Sequence, residues 1–169
     1  MLLQSTRVQS PLGTLLLHVH EQTLLALVWD THQDRTLGHL KRHLGGFTVE
    51  EVADLAAISA PIQRYFDGNL DALDALDVAP PGTPFQRAVW SALRTIPRGQ
   101  TWSYRQLAQA IDRPSACRAV ARANGYNPIP LIIPCHRVIA SDGGIGGFSC
   151  GLDRKHWLLR HEAAHPMAA

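Results

Sequence analysis

The apolar and polar positions fall into runs of two periods. "TLLLHVH" (14–20) and "LLALVWD" (24–30) are largely continuous apolar stretches around "EQT", which predicts a β-hairpin buried in a sheet. "SPLG" (10–13) punctuates the chain as a turn before the first strand. Leu37, Leu40 and Leu44 then recur at helical spacing in 32–46, and Gly45-Gly46 stop that helix. "FTVEEV" (47–52) reads as a further strand and "APIQRYFDGN" (60–69) as the end of a second helix. In 70–84 the prolines Pro80, Pro81 and Pro84 with Gly82 predict a linker and a domain boundary.

The second half opens on a strong helix start. Thr83 supplies a hydroxyl N-cap, Pro84 the first helical position and Gln86 the reciprocal cap. Phe85, Val89, Trp90, Leu93 and Ile96 share the inner face of the helix that follows. A second short helix spans 103–112 with Ser103 as its cap, and a third spans 113–125, with Pro114 near its first turn and Gly125 just past its end. Two short helices joined by a tight turn form a helix-turn-helix. Ala116, Ala119, Ala121 and Ala123 allow close approach to a groove wall while Arg118 and Arg122 reach outward; a small-residue packing helix is the alternative. Residues 127–148 hold Pro128, Pro130 and Pro134 and read as a stiff, extended apolar segment that cannot be a central strand. A glycine-rich loop (143–147) follows. The last helix, 153–163, turns Trp157, Leu158 and Leu159 inward. The architecture expected is α/β: a small N-terminal domain with a β-sheet (1–80) and a mainly helical C-terminal domain with a helix-turn-helix (81–169).

Composition narrows the classes. At 169 residues, 46% hydrophobic and 18% charged, the chain is that of a folded protein with one sizeable or two small cores. Its net charge of +2 hides an asymmetry. Residues 1–80 carry five Lys and Arg against ten acids; residues 81–169 carry eleven against four, ten of them arginine. A basic half of this kind is the footprint of a nucleic-acid binder, although many basic halves bind nothing. Three cysteines without a CxxC pair do not make a disulfide framework. No run is long enough to span a membrane and no leader pattern stands at the start, so a cytoplasmic, reducing setting is expected.

Within that basic half, Cys135 in "IPCHRVIA" (133–140) stands beside His136 and Arg137. A thiol acts as a nucleophile only as thiolate, which a neighbouring histidine or cation promotes. A third group must orient the imidazole, and Glu162 is one of only four acids in this half. The residues alone leave both a catalytic cysteine and an inert buried thiol open.

"TPFQRAVWSALRTIPRGQTWSYRQLA", "CRAVARANGYNPIPLIIPCHRVI" and "FSCGLDRKHWLLRHE" closely resemble the O6-alkylguanine-DNA alkyltransferases. The resemblance runs from about Thr83 to Glu162 and is weaker from Ser10 through Asp67. It implies stoichiometric, irreversible transfer of an alkyl group from guanine O6 in duplex DNA to Cys135, without cofactor or metal. His136 then matches the residue that takes the thiol proton through a water, and Glu162 the carboxylate that orients it. Tyr104 matches the tyrosine that helps rotate the nucleotide out and donates to the departing base. Arg118 matches the finger that fills the gap in the stack, and Asn127 the residue tying the active-site segment to the recognition helix. Ser103, Ala119, Arg122 and Arg137 join Tyr104 and Arg118 as expected DNA contacts, and Trp102, Phe148, Ser149 and Cys150 line the expected substrate pocket. The expected partner is alkylated duplex DNA, bound through the minor groove by a monomer, with clustering along DNA and O4-alkylthymine as a substrate left open.

Three positions depart from the family pattern. Ala121 stands where glycine is usual, Phe148 where tyrosine is frequent, and Cys150 at the first of two usual glycines. The zinc site of some members has no counterpart here, because no cysteine precedes Cys117, and His18 and His20 read as surface residues. A lesion sensor without transfer, a cysteine hydrolase and a regulatory helix-turn-helix protein are the rival classes. Cys135 argues against the first, the lack of an oxyanion hole or peptide groove against the second, and the Pro-Cys-His-Arg segment against the third.

Overall fold

A computed structural model describes residues 1–166, which divide into two compact units, Met1–Pro81 and a second that begins at Gly82. In the first unit a mixed four-stranded sheet runs in the order β3-β2-β1-β4, from β1 (Leu2–Ser10), β2 (Gly13–His20), β3 (Thr23–Trp29) and β4 (Thr48–Glu51). β1, β2 and β3 are antiparallel neighbours, and β4 returns parallel to β1. The hairpin expected from 14–30 is present, but its loop narrows to Glu21 and Gln22, both at positive φ (55° and 99°). That geometry matches the right-handed twist of the flanking strands.

β1 itself lies before the turn at which the sheet was expected to begin. "LLQSTRVQS" buries Leu3, Ser5, Thr6 and Val8, so it is a central strand built largely from polar residues. Between the Val19–Leu24 and His18–Ala26 pairs, Leu25 is an extra residue on β3. This bulge lets Leu25 and Ala26 join the same cluster, with Leu3 and Leu40. Leu40 comes from α1 (Gln33–Leu44), with Leu37 and Leu44 packed alongside; Gly45 ends this helix at φ 75°. A second helix, α2 (Ala56–Phe66), buries Ile58, Ile62 and Tyr65.

The expected linker does not begin at residue 70. Leu70–Ala75 form a 3₁₀ turn that buries Leu70, Ala72 and Leu73, and Leu76 is buried behind it. Val78 bridges to Leu24, with Leu24 N donating to Asp77 O (3.0 Å) and Ala79 N to Leu24 O (3.0 Å). Apolar burial thus carries the unit through to Pro81, and the proline cluster marks only its end.

The second unit is mainly helical: α3 (Pro84–Leu93), α4 (Tyr104–Ala110), α5 (Cys117–Gly125) and α6 (Leu152–Ala164), with a two-residue parallel ladder between β5 (Trp102–Ser103) and β6 (Val138–Ile139). Thr83 and Ser103 each close a full capping box, with Gln86 and Gln106. Val89, Trp90 and Leu93 form the inner face of α3, and Trp90 Nε1 donates to Ala123 O of α5 (2.9 Å). A side chain at Gly82 would strike the Trp90 ring, so glycine is required there. α5 starts at Cys117, three residues beyond Pro114, because Asp112 turns the chain at φ 56° and delays the helix. α6 buries Lys155, Leu158, His161 and Glu162, whereas Trp157 and Leu159 are only half-buried.

His18 is the clearest correction in the first unit. It is 1% exposed rather than on the surface, and neither ring nitrogen has a hydrogen-bond partner. Burial holds its pKa below the usual histidine value. The unfolded chain therefore takes up a proton first as pH falls, and the stability this neutral ring permits is lost below about pH 6.5. For this group the loss runs at up to about 1.4 kcal/mol per pH unit until the folded protein also protonates. His18→Leu is expected to flatten the acid limb of a denaturant-midpoint titration; an unchanged limb would assign the acid sensitivity to other histidines.

Candidate functional site: a buried cysteine, histidine and glutamate

The residues around Cys135 are not extended. Leu131 sits at φ 79°, Ile133 N donates back to Ile129 O (3.0 Å), and Cys135–Arg137 form a 3₁₀ turn following Pro134. The three prolines stiffen a series of tight turns, and every residue from 128 through 138 is buried. Asn127 braces this arch from inside. Its Nδ2 donates to Ile133 O (2.7 Å) and its Oδ1 accepts from Ile129 N (2.9 Å).

The turn places Cys135 and His136 in different environments although they are adjacent. His136 is fully buried and its Nε2 lies 2.8 Å from Glu162 Oε1. Arg137 donates from Nε to Glu162 Oε2 and from one terminal nitrogen to Oε1, both at 2.8 Å. Its other terminal nitrogen donates to Ile96 O just beyond α3 (2.8 Å). Arg137 was expected on DNA. It is instead 6% exposed, with all three guanidinium nitrogens engaged, and it belongs to the interior.

Burial works to raise the Glu162 carboxyl, but His136 and Arg137 together outweigh it and hold the group well below the ordinary carboxylate range. A carboxylate accepts only, so His136 donates from Nε2 and carries its lone pair on Nδ1. Burial keeps the ring neutral against the pull of Glu162, and Nδ1 has no hydrogen-bond partner. The result is a neutral base with its accepting atom available.

Cys135 is 2% exposed, and burial, reinforced by the Cys150 thiol, pushes its pKa up to about 12. Asn127 and Lys155 act in the opposite direction. Burial also raises the Tyr104 phenol, with Cys135 contributing, so Tyr104 remains a hydrogen-bond donor. The β5–β6 ladder sets Tyr104 at the head of α4 next to the strand leaving the cysteine turn.

Lys155 is the residue the sequence reading missed. It is fully buried, and its Nζ donates to Val138 O (2.6 Å) and Gly147 O (2.9 Å). Burial lowers its pKa to about 8, with Cys135 pulling it back up. Lys155, Leu158 and Glu162 follow an i, i+3, i+7 spacing on α6, so the inward position of Leu158 was the available signal.

The remaining expected site residues divide by exposure. Arg118, Ala119 and Arg122 are exposed on α5, and Arg122 lies over the Tyr126 ring at 5.7 Å. Ser103 is half-buried and its hydroxyl caps α4 by accepting from Gln106 N (3.1 Å). Trp102 and Phe148 are half-buried, Ser149 is exposed and Cys150 is buried at 7%. Among the described residues no helix is long and apolar enough to cross a membrane.

Residues 84–164 match the family model for the DNA-binding domain of 6-O-methylguanine DNA methyltransferase. The chain is 44% identical over 159 residues to a methylated-DNA–protein-cysteine methyltransferase of Shigella flexneri, covering 92% of this chain and 93% of that protein. Identity is 45% over 159 residues to the protein of that name from Salmonella typhimurium, with the same coverage. Among solved structures, Mycobacterium tuberculosis O6-methylguanine methyltransferase matches with a TM-score of 0.78 at 34% identity, covering 99% of this chain and 96% of that one. The protein from that organism solved in complex with DNA matches with a TM-score of 0.79 at 36% identity, covering 98% and 96%. With its mixed N-terminal sheet, its helical DNA-binding half and its buried cysteine, histidine and glutamate, the chain belongs to the methylated-DNA–protein-cysteine methyltransferase family.

Proposed function

We propose that this protein repairs duplex DNA by moving the alkyl group of O6-alkylguanine onto Cys135, once per molecule. The observation that carries the reading is the neutral His136 base, with Nε2 pinned on Glu162 and Nδ1 available, in the residue directly after a buried thiol. The Cys135 proton passes through a water to His136 Nδ1, and the sulfur attacks the alkyl carbon. The carbon–oxygen bond breaks, guanine leaves with those electrons, and the Tyr104 hydroxyl donates to the departing base. The thioether formed is permanent and no cofactor enters the balance. Asn127 and Lys155 are positioning residues, since they hold the cysteine arch and the glycine loop by backbone carbonyls.

The target oxygen is unreachable inside a stacked duplex, so the nucleotide rotates out. Exposed Ala119 permits close approach of α5 to the minor groove, Arg118 fills the vacated position and Arg122 contacts phosphate. Phe148, Ser149, Cys150 and Trp102 line the pocket that receives the base. The N-terminal unit serves as scaffold, and the protein acts as a monomer.

Intact-protein mass after mixing with a duplex carrying one O6-methylguanine should rise by one methyl group, saturate at one per molecule and map to the Cys135 peptide. Binding without a mass change would make it a lesion sensor instead.

Glu162→Gln offers Arg137 an amide in place of one carboxylate oxygen. Loss of that buried charge partner is expected to cost on the order of 3–5 kcal/mol in chemical unfolding. Methyl transfer should fall by about 10²-fold or more as the imidazole loses its orienting anion. Adding Arg137→Met should restore much of the stability and none of the transfer. Recovery of both would reduce Glu162 to a structural role. Arg118→Ala should slow transfer from duplex DNA while leaving reaction with free O6-methylguanine base unchanged; equal losses on both would remove Arg118 from the flipping step.

A further inference from the structure

The second buried cysteine of this unit lines the proposed base pocket, but its thiol takes no step in the proposed transfer. Cys150 lies just before α6, at a position where the resembling family usually has glycine. Its side chain is buried. One buried lysine brings the segments together. Lys155 Nζ holds Val138 O, three residues after Cys135, and Gly147 O, three residues before Cys150, on one ammonium at 2.6 and 2.9 Å. The Cys150 thiol also raises the pKa of Cys135, after burial itself.

The geometry points to Cys135 and Cys150 as a redox pair that closes into a disulfide under peroxide, suspending alkyl acceptance until a thiol reductant reopens it. This regulation rests on Cys135 being the acceptor.

The chemistry balances with hydrogen peroxide as oxidant. Cys150 is the more exposed of the two residues, and its thiolate attacks a peroxide oxygen. The O–O bond breaks, water leaves after protonation, and Cys150 becomes a sulfenic acid. Cys135 gives up its proton, with His136 Nδ1 as the nearby base, and attacks the Cys150 sulfur. The S–O bond breaks and a second water leaves. Two thiols are oxidised by two electrons in all, and one peroxide is reduced to two waters. A dithiol reductant reverses the bond by thiol–disulfide exchange. An alkylated Cys135 has no proton to lose and is excluded from the cycle.

The test uses the full chain treated with hydrogen peroxide, quenched with a maleimide before unfolding and weighed intact. The expected result is loss of two hydrogen atoms and a peptide linking Cys135 to Cys150. Methyl transfer should fall at least about tenfold and return with dithiothreitol. Cys117→Ser should behave identically. Cys150→Ser should lose no hydrogens and yield no peptide linked to Cys135, gaining oxygen instead if peroxide reaches the remaining thiol. The proposal is overturned if the chain only gains oxygen, if the link maps to Cys117, or if Cys150→Ser still loses two hydrogens. Untreated protein that transfers no methyl group would sink the acceptor reading, while the mass result would still decide the disulfide.

Discussion

One buried carboxylate organises the reactive half of the molecule. Glu162 accepts from His136 and twice from Arg137, and Arg137 reaches on to Ile96 O. A single charge on α6 thereby fixes the cysteine turn and the end of α3. A buried carboxylate facing only a histidine would favour an imidazolium and spend the base before reaction. Burial does most to keep the histidine neutral, and the positive charge of Arg137 adds to it. The arginine next to the catalytic pair therefore acts electrostatically as well as structurally, without touching substrate.

This arrangement qualifies the charge asymmetry of the sequence. Of the eleven cations in residues 81–169, Arg137 and Lys155 are interior and unavailable to a polyanion. Both neutralise or tie down the site instead. The surface field left for DNA comes from the other arginines, with Arg118 and Arg122 on the outer face of α5. A count of basic residues overstates the electrostatic footprint wherever a catalytic centre needs cations of its own.

The parts of the fold legible in the sequence were those with local physical signals. Thr83 and Ser103 announced their helices through side-chain chemistry within three residues. β1 was missed because its buried positions include Ser5 and Thr6, whose place in the core depends on partners elsewhere in the chain. Proline was read too literally twice. Around Pro80 and Pro81 it marked only the end of a packed segment, and around Pro130 and Pro134 it stiffened turns rather than an extended strand. The pairing of His136 with Glu162 spans 26 residues, and no local pattern encodes it. Family resemblance supplied that pair, but it did not say whether Arg137 faced inward or outward. That depended on the 3₁₀ turn.

The raised pKa of Cys135 bears on how a single-use acceptor survives until needed. A cysteine with a depressed pKa stands permanently as thiolate and is open to any electrophile that reaches it. Here burial and the neighbouring Cys150 push the thiol pKa up, so the resting protein presents a weak nucleophile. Under the proposed mechanism rate comes from positioning: a flipped base held against the sulfur, with His136 Nδ1 taking the proton and Tyr104 supplying one to the leaving group. That mechanism brings those conditions together only on the bound lesion. A site made unreactive by desolvation and reactive by assembly is suited to a protein that can react once, and the same burial that protects Cys135 is what requires the neutral base beside it.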